Sequence, residues 1–162
     1  MRYLIAGGCG FLGTHLCARL LEEGHEVVAI DNLCTATDRN LERLKQYPDF
    51  VHKDQDILIC GSGQYKLFDY VVNLACPASP PKYYSMPFQT STACINGVVN
   101  MLDIAKSNKA RFVHASTSEV YGNPLTSPQT EQCRTNLELY NPRLAYDGPK
   151  LTSECIVGYY RH

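Results

Sequence analysis

A chain of 162 residues, 44% hydrophobic and 19% charged with 11 Gly and 9 Pro, can bury a real core, which excludes disordered and collagen-like architectures. Its 15 basic and 16 acidic side chains leave a formal charge of −1 without a basic cluster, which argues against a protein that holds nucleic acid or an anionic membrane by electrostatics. The eight cysteines (9, 17, 34, 60, 76, 94, 133, 155) have no CxxC or metal-ligand spacing and read as free thiols of a reducing compartment, consistent with a cytoplasmic protein that holds no metal.

The apolar stretch from Tyr3 to Leu21 is interrupted by Gly7, Gly8, Gly10 and Gly13 and carries His15 and Arg19, so it reads as neither a signal peptide nor a membrane span. Tyr3 to Ala6 forms a first strand. Phe11, Leu12, Leu16, Leu20 and Leu21 recur at helical spacing up to Glu23, and Gly24 ends that helix. Val27 to Ile30 is a second strand, Leu41 to Tyr47 a short amphipathic helix, and Phe50 to His52 and Tyr70 to Leu74 are two further strands. A long helix runs from about Pro87 to Ser107 with Ile95, Val98, Leu102 and Ala105 on one face. Phe112 to Ala115 is the fifth strand, residues 124–143 form a polar loop, and a last helix starts near Ala145. Short apolar runs alternating with helical segments predict an α/β fold, a Rossmann-type doubly wound parallel sheet.

Gly7, Gly10 and Gly13 follow the first strand in a GxxGxxG spacing. The first allows a tight turn, the second a close approach of backbone to a pyrophosphate, and the third helix-to-sheet packing. Phe11 and Leu12 open the helix whose unpaired N–H groups face the anion. A glycine-rich turn without a ligand is the plainer alternative, but Asp31 ends the second strand 18 residues after Gly13. A carboxylate there accepts from an adenosine ribose and repels a 2′-phosphate, so the pattern points to NAD rather than NADP.

The fifth strand opens into Ser116-Thr117-Ser118-Glu119-Val120-Tyr121-Gly122, and Tyr146 and Lys150 lie four apart, on one face of a helix. A lysine ammonium beside a phenol lowers its pKa and makes the tyrosine a usable acid/base for a sugar hydroxyl. A YxxxK pair by itself is common on protein surfaces; joined to the glycine loop, Asp31 and a strand-end hydroxyl it converges on one cleft beyond the strand ends.

With these motifs the chain resembles the extended short-chain dehydrogenase/reductases (NAD-dependent epimerases and dehydratases). It is most similar to the UDP-glucuronate decarboxylase (UDP-xylose synthase) subfamily, through Asn73-Leu74-Ala75-Cys76-Pro77-Ala78-Ser79-Pro80 and the spacing of Tyr83, Pro87, Thr90, Gly97 and Asn100. The resemblance implies oxidation of a UDP-sugar at C4 by bound NAD, loss of CO₂ and return of the hydride. Tyr146 would take the 4-hydroxyl proton with Lys150 as its partner, Thr117 would bond the 4-oxygen, and Glu119 would sit by the C5/C6 end. Asp31 and Asn32 would hold the adenosine ribose, and Leu74 and Ala75 would line the nicotinamide side. Asp54 and Gln55 would flank adenine, with Asp56 and Ile57 as a rival register. Pro77, Ser79, Tyr83 and Ser118 would meet the substrate.

The resemblance further implies a homodimer at full length and makes residues 1–162 an N-terminal fragment, an incomplete NAD-binding domain lacking the C-terminal substrate lobe, with little turnover alone. Departures bear on the substrate: Ala36 stands where relatives carry glycine, Tyr-Asp-Gly-Pro-Lys-Leu replaces Tyr-Asp-Glu-Gly-Lys-Arg, and Gln132 to Tyr140 is atypical. A 4,6-dehydratase or 4-epimerase is the alternative enzyme, and a non-catalytic dinucleotide-binding sensor the alternative of another class. Pro149 is expected within the last helix's first turn. His15, His25, His52, His114 and His162 have no ligand spacing, His114 reads as a core histidine, and Cys76 reads as a packing residue or a modifiable thiol.

Overall fold

A computed structural model describes residues 1–160; His162 lies outside them. Five strands, β1 (Arg2–Ala6), β2 (Glu26–Ile30), β3 (Phe50–Lys53), β4 (Tyr70–Asn73) and β5 (Arg111–His114), form one parallel sheet in the order β3-β2-β1-β4-β5. The order reverses between β1 and β4, the switch point where a doubly wound sheet leaves a crevice beyond its strand ends.

Side chains alternate across the sheet as the strand period demands. Leu4, Ala6, Val28, Ile30 and Val71 face Met101, Ile104 and Ala105 of α5 (Val98–Asn108). Ile5, Val27, Ala29 and Val72 face Cys17, Ala18, Leu20 and Leu21 of α1 (Phe11–Glu22), together with Leu41 and Leu44 of α2 (Asp38–Leu44). Both faces are covered, which is why the strands read as continuous apolar runs.

The α2 helix begins three residues before the expected Leu41 and ends at Leu44, because Thr37 is extended and Asp38 supplies an acidic first turn. A short helix over Pro80–Ser85 (α3), with Pro at its start, was not anticipated. The expected long helix is divided: α4 (Pro87–Thr92) passes into a π turn over Ala93–Gly97 before α5 begins. The last helix, α6 (Leu144–Tyr159), starts one residue earlier than expected, and this places Pro149 in its second turn. Proline there frees the carbonyl of Ala145 four residues back. Ser91 of α4 donates its hydroxyl to that carbonyl at 2.9 Å, so the missing bond is made from a neighbouring element.

A buried polar chain docks α6 on the sheet. Ala75 N–H donates to Asn73 Oδ1 (3.1 Å), Asn73 Nδ2 approaches His114 Nδ1 (3.5 Å), His114 Nε2 pairs with Ser153 Oγ (3.0 Å), and Ser153 donates to the Lys150 carbonyl (2.7 Å). Because the Ser153 proton goes to Lys150, the pattern assigns the Nε2–H tautomer to His114. Burial, aided by the Lys150 ammonium, pushes its pKa from 6.5 down to about 4. The unfolded chain therefore takes up a proton between pH 6.5 and 4 that the folded chain refuses. Stability from this site is complete above pH 6.5 and lost as pH falls toward 4. For a half-buried ring the loss should be about 1–2 kcal/mol. Urea midpoints measured across that window should fall, and His114→Gln should flatten the fall; an unchanged slope in the variant would remove the assignment.

Candidate active site

A cleft of about 620 Å³ lies beyond the ends of the strands, at the β1/β4 switch. Gly7, Gly10, Phe11, Leu12 and Gly13 form its floor. Gly7 has φ +74°, and a Cβ there would stand 2.8 Å from the backbone N of Ala75. A Cβ on Gly13 would stand 2.1 Å from the Gly7 carbonyl oxygen. The loop therefore admits no side chain at either place. The N–H groups of Phe11, Leu12 and Gly13 find no acceptor among the described residues, and the first turn of α1 carries no acidic group. This is the donor set that an anion at a helix N-terminus takes.

Asp31 ends β2 at the cleft, where it accepts from the backbone N–H of Cys9 (Oδ2, 2.9 Å) and of Leu33 (Oδ1, 2.9 Å). A carboxylate has about four lone-pair sites, so this fixes its direction and leaves capacity for diol hydroxyls. Asn32 sits beside it and donates to Asp56 Oδ2 at 3.0 Å, while Asp56 Oδ1 caps the 3₁₀ turn Ile57–Ile59 through Leu58 N–H. Gln55 to Leu58 line this end of the cleft, and Asp54 is exposed outside it. The Gln55 amide is turned to Tyr65, Ile59 and Gln64. Of the two registers read from the sequence, Gln55, Asp56 and Ile57 line the cleft and Asp54 does not. The glycine cradle, the free helix N–H groups and Asp31 together fit a dinucleotide.

At the other end, Leu74, Ala75, Cys76, Pro77 and Ser79 form one wall, with Ser116, Tyr146 and Lys150 opposite. Lys150, 5% exposed, donates to the Ala115 carbonyl at 2.8 Å, and its Nζ lies 6.0 Å from the Tyr146 ring centroid. The expected lowering of the Tyr146 pKa by lysine is not what governs it: burial pushes the phenol up, and the Thr117 hydroxyl pulls the other way. Thr117 also caps the 3₁₀ turn Ser118–Tyr121 through Glu119 N–H (3.3 Å).

Four expected substrate contacts, Tyr83, Thr117, Ser118 and Glu119, stand outside the lining of the cleft. Tyr83, on α3, is 2% exposed, and its ring stacks on that of Tyr146 (5.2 Å between centroids, 6° between planes), so it backs the tyrosine instead of facing the cleft. Ser118 is exposed outside the lining. Glu119 is held by Arg143, whose Nε also lies 3.5 Å from Asp147 Oδ2. Arg143 escaped the sequence reading, although its place three residues before Tyr146 and four before Asp147 puts it on the tyrosine's side of the helix start.

Residues 4–162 match the family described as GDP-mannose 4,6-dehydratase. UDP-glucuronic acid decarboxylase 1 of Xenopus tropicalis is 40% identical over 153 residues, which cover 94% of this chain and 36% of that protein. The crystal structure of UDP-glucuronic acid 4-epimerase from Bacillus cereus in complex with NAD superposes with a TM-score of 0.81 at 28% identity, covering 99% of this chain and 52% of that one. UDP-glucose 4-epimerase from Stenotrophomonas maltophila, with bound NAD and formylated UDP-arabinopyranose, gives 0.82 at 26% identity, covering 98% and 48%. The chain thus spans about a third to a half of the length of these relatives.

Proposed function

The chain belongs to the GDP-mannose 4,6-dehydratase family, and from that premise we propose that the protein is an NAD-dependent nucleotide-sugar decarboxylase that converts UDP-glucuronate to UDP-xylose. The observation that carries this reading is the convergence of Tyr146 and Lys150 with the glycine cradle and Asp31 on one cleft. Its similarity to decarboxylases over nearly its whole length supports that reaction.

In this reading the N–H groups of Phe11, Leu12 and Gly13 hold the cofactor pyrophosphate, Asp31 and Asn32 its adenosine ribose, Asp56 and Ile57 its adenine, and Leu74 and Ala75 its nicotinamide side. Bound NAD would supply a reversible hydride acceptor for C4 of the sugar. The Tyr146 phenolate takes the 4-hydroxyl proton and, as the phenol, later gives it back, and Thr117 bonds the same oxygen. Lys150, fixed on the Ala115 carbonyl, supplies positive charge beside the reacting centre. Glu119, aimed by Arg143, would stand toward the carbon that loses CO₂. A cytoplasmic homodimer completes the proposal.

The full-length protein with UDP-glucuronate and NAD should release CO₂ and yield the pentose nucleotide without net NADH. Turnover of UDP-glucose with none of UDP-glucuronate would move the protein to the dehydratases or epimerases, and NAD binding without turnover of any sugar nucleotide would make it a sensor. For the cofactor itself, Asp31→Asn should weaken NAD about tenfold, one charge-assisted bond's worth, and narrow the discrimination against NADP. Equal NAD affinity of variant and parent by calorimetry would refute the ribose assignment.

A further inference from the structure

Cys76 lies in the loop after β4 and Cys94 in the π turn, 18 residues on, yet their Sγ atoms are 3.0 Å apart. Both are free thiols. Cys76 lines the cleft, and Cys94 is buried behind it at 1% exposure. The hydrogen bond between them can run in either direction, so the pair holds its protons unequally. The shared bond and Lys150 ease the loss of the Cys94 proton, while the same bond and burial hold the proton on Cys76. A cation beside a thiol that reaches solvent through a cleft is the setting in which thiolates react. Cys94 also sits on a π turn, a distortion found mostly at functional places. C4 oxidation and decarboxylation have no use for two adjoining sulfurs.

We propose that Cys76 and Cys94 form a reversible dithiol/disulfide site, closed by a small peroxide entering through the cleft and opened by a dithiol reductant. The Cys94 thiolate takes the proton of Cys76, and the Cys76 sulfur so freed attacks hydrogen peroxide. The O–O bond breaks, the leaving hydroxide takes a proton from solvent and departs as water, and Cys76 becomes a sulfenic acid. Cys94 then attacks that sulfur, the S–O bond breaks, and the second water departs with the Cys94 proton. Two thiols and one peroxide thus give one disulfide and two waters. A disulfide spans about 2.05 Å, so the sulfurs must approach by about 1 Å. In a reducing compartment such bonds are transient and serve redox sensing. Closure ties the cleft wall at Cys76 to the helix behind it, so oxidation is read out where Lys150 and Tyr146 stand.

Trypsin separates the two cysteines, since cleavage after Lys66, Lys82 and Lys106 places Cys76 on residues 67–82 and Cys94 on residues 83–106. After limiting hydrogen peroxide and alkylation of the remaining thiols, the full-length protein should yield these two peptides joined, and dithiothreitol should part them. Cys94→Ser should abolish the joined species and leave Cys76 as a sulfenic acid trapped by dimedone. Full alkylation of Cys76 after peroxide, or its joining to Cys34, the exposed cysteine near it, would overturn the proposal. The mapping requires neither NAD nor a sugar nucleotide, so its failure is distinct from failure of the functional reading.

Discussion

Replacing Tyr146 with Phe is expected to lower turnover of UDP-glucuronate by about 10²–10⁴-fold, the range supplied by one positioned acid/base, while NAD affinity stays within about threefold. The separation follows from where the hydroxyl stands. The ring is held by Tyr83 stacked 5.2 Å away, and phenylalanine keeps that contact, so the helix and its lysine should remain in place. A variant that turns over within tenfold of the parent would remove Tyr146 from the proposed role. The phenol's raised pKa adds a second readout. Burial favours its protonated form, so the rate should climb with pH until the phenol ionises. Thr117 is the group that holds that pKa down, so Thr117→Val should move this rising limb of the profile to higher pH. A limb that stays put would show that another group is being titrated.

Gly13→Ala should be strongly damaging to both the fold and the cofactor loop. Its Cβ would fall 2.1 Å from the Gly7 carbonyl oxygen and 2.7 Å from the Gly8 Cα, and both are backbone that a rotamer change cannot move aside. Relief requires α1 to lift from the loop, and α1 carries Cys17, Ala18, Leu20 and Leu21 into the core. Overpacking against fixed backbone costs about 3 kcal/mol or more, and the displaced helix N-terminus should lose at least tenfold in NAD affinity. Chemical denaturation and cofactor titration of the same variant check both. Gly61 makes a control, since a Cβ there meets nothing within 4 Å.

The parts of this molecule written in local pattern were readable, and the parts created by packing were not. The glycine loop, Asp31 and the strands through β5 follow from spacing and apolar periodicity, each within a few residues of its own sequence. The α3 helix is six residues long and begins with two prolines in a segment that reads as loop, so it offers too little periodicity to detect. The π turn leaves no trace in composition, because it is one residue of slippage in an otherwise continuous helix. Tyr83 reads from family spacing as a substrate contact, but the packing of α3 on α6 turns it flat against the Tyr146 ring and away from the cleft. The Cys76 to Cys94 contact joins two elements whose separation in sequence gives no sign of their meeting. The lysine's effect on the phenol was argued from adjacency alone, and in the folded chain the distance and the burial of the ring decide otherwise.

The hydroxyl that Ser91 lends to the Ala145 carbonyl makes positions 91 and 149 a matched pair. Where Pro149 stands, the helix that bears Tyr146 depends on a donor from α4; with any other residue at 149 the helix would close its own bond and Ser91 would be free to vary. The two positions should therefore change together over evolutionary time. A chain that acquired the proline first would have passed through a form with an orphaned carbonyl one residue from its proposed catalytic tyrosine, so serine before proline is the passable order.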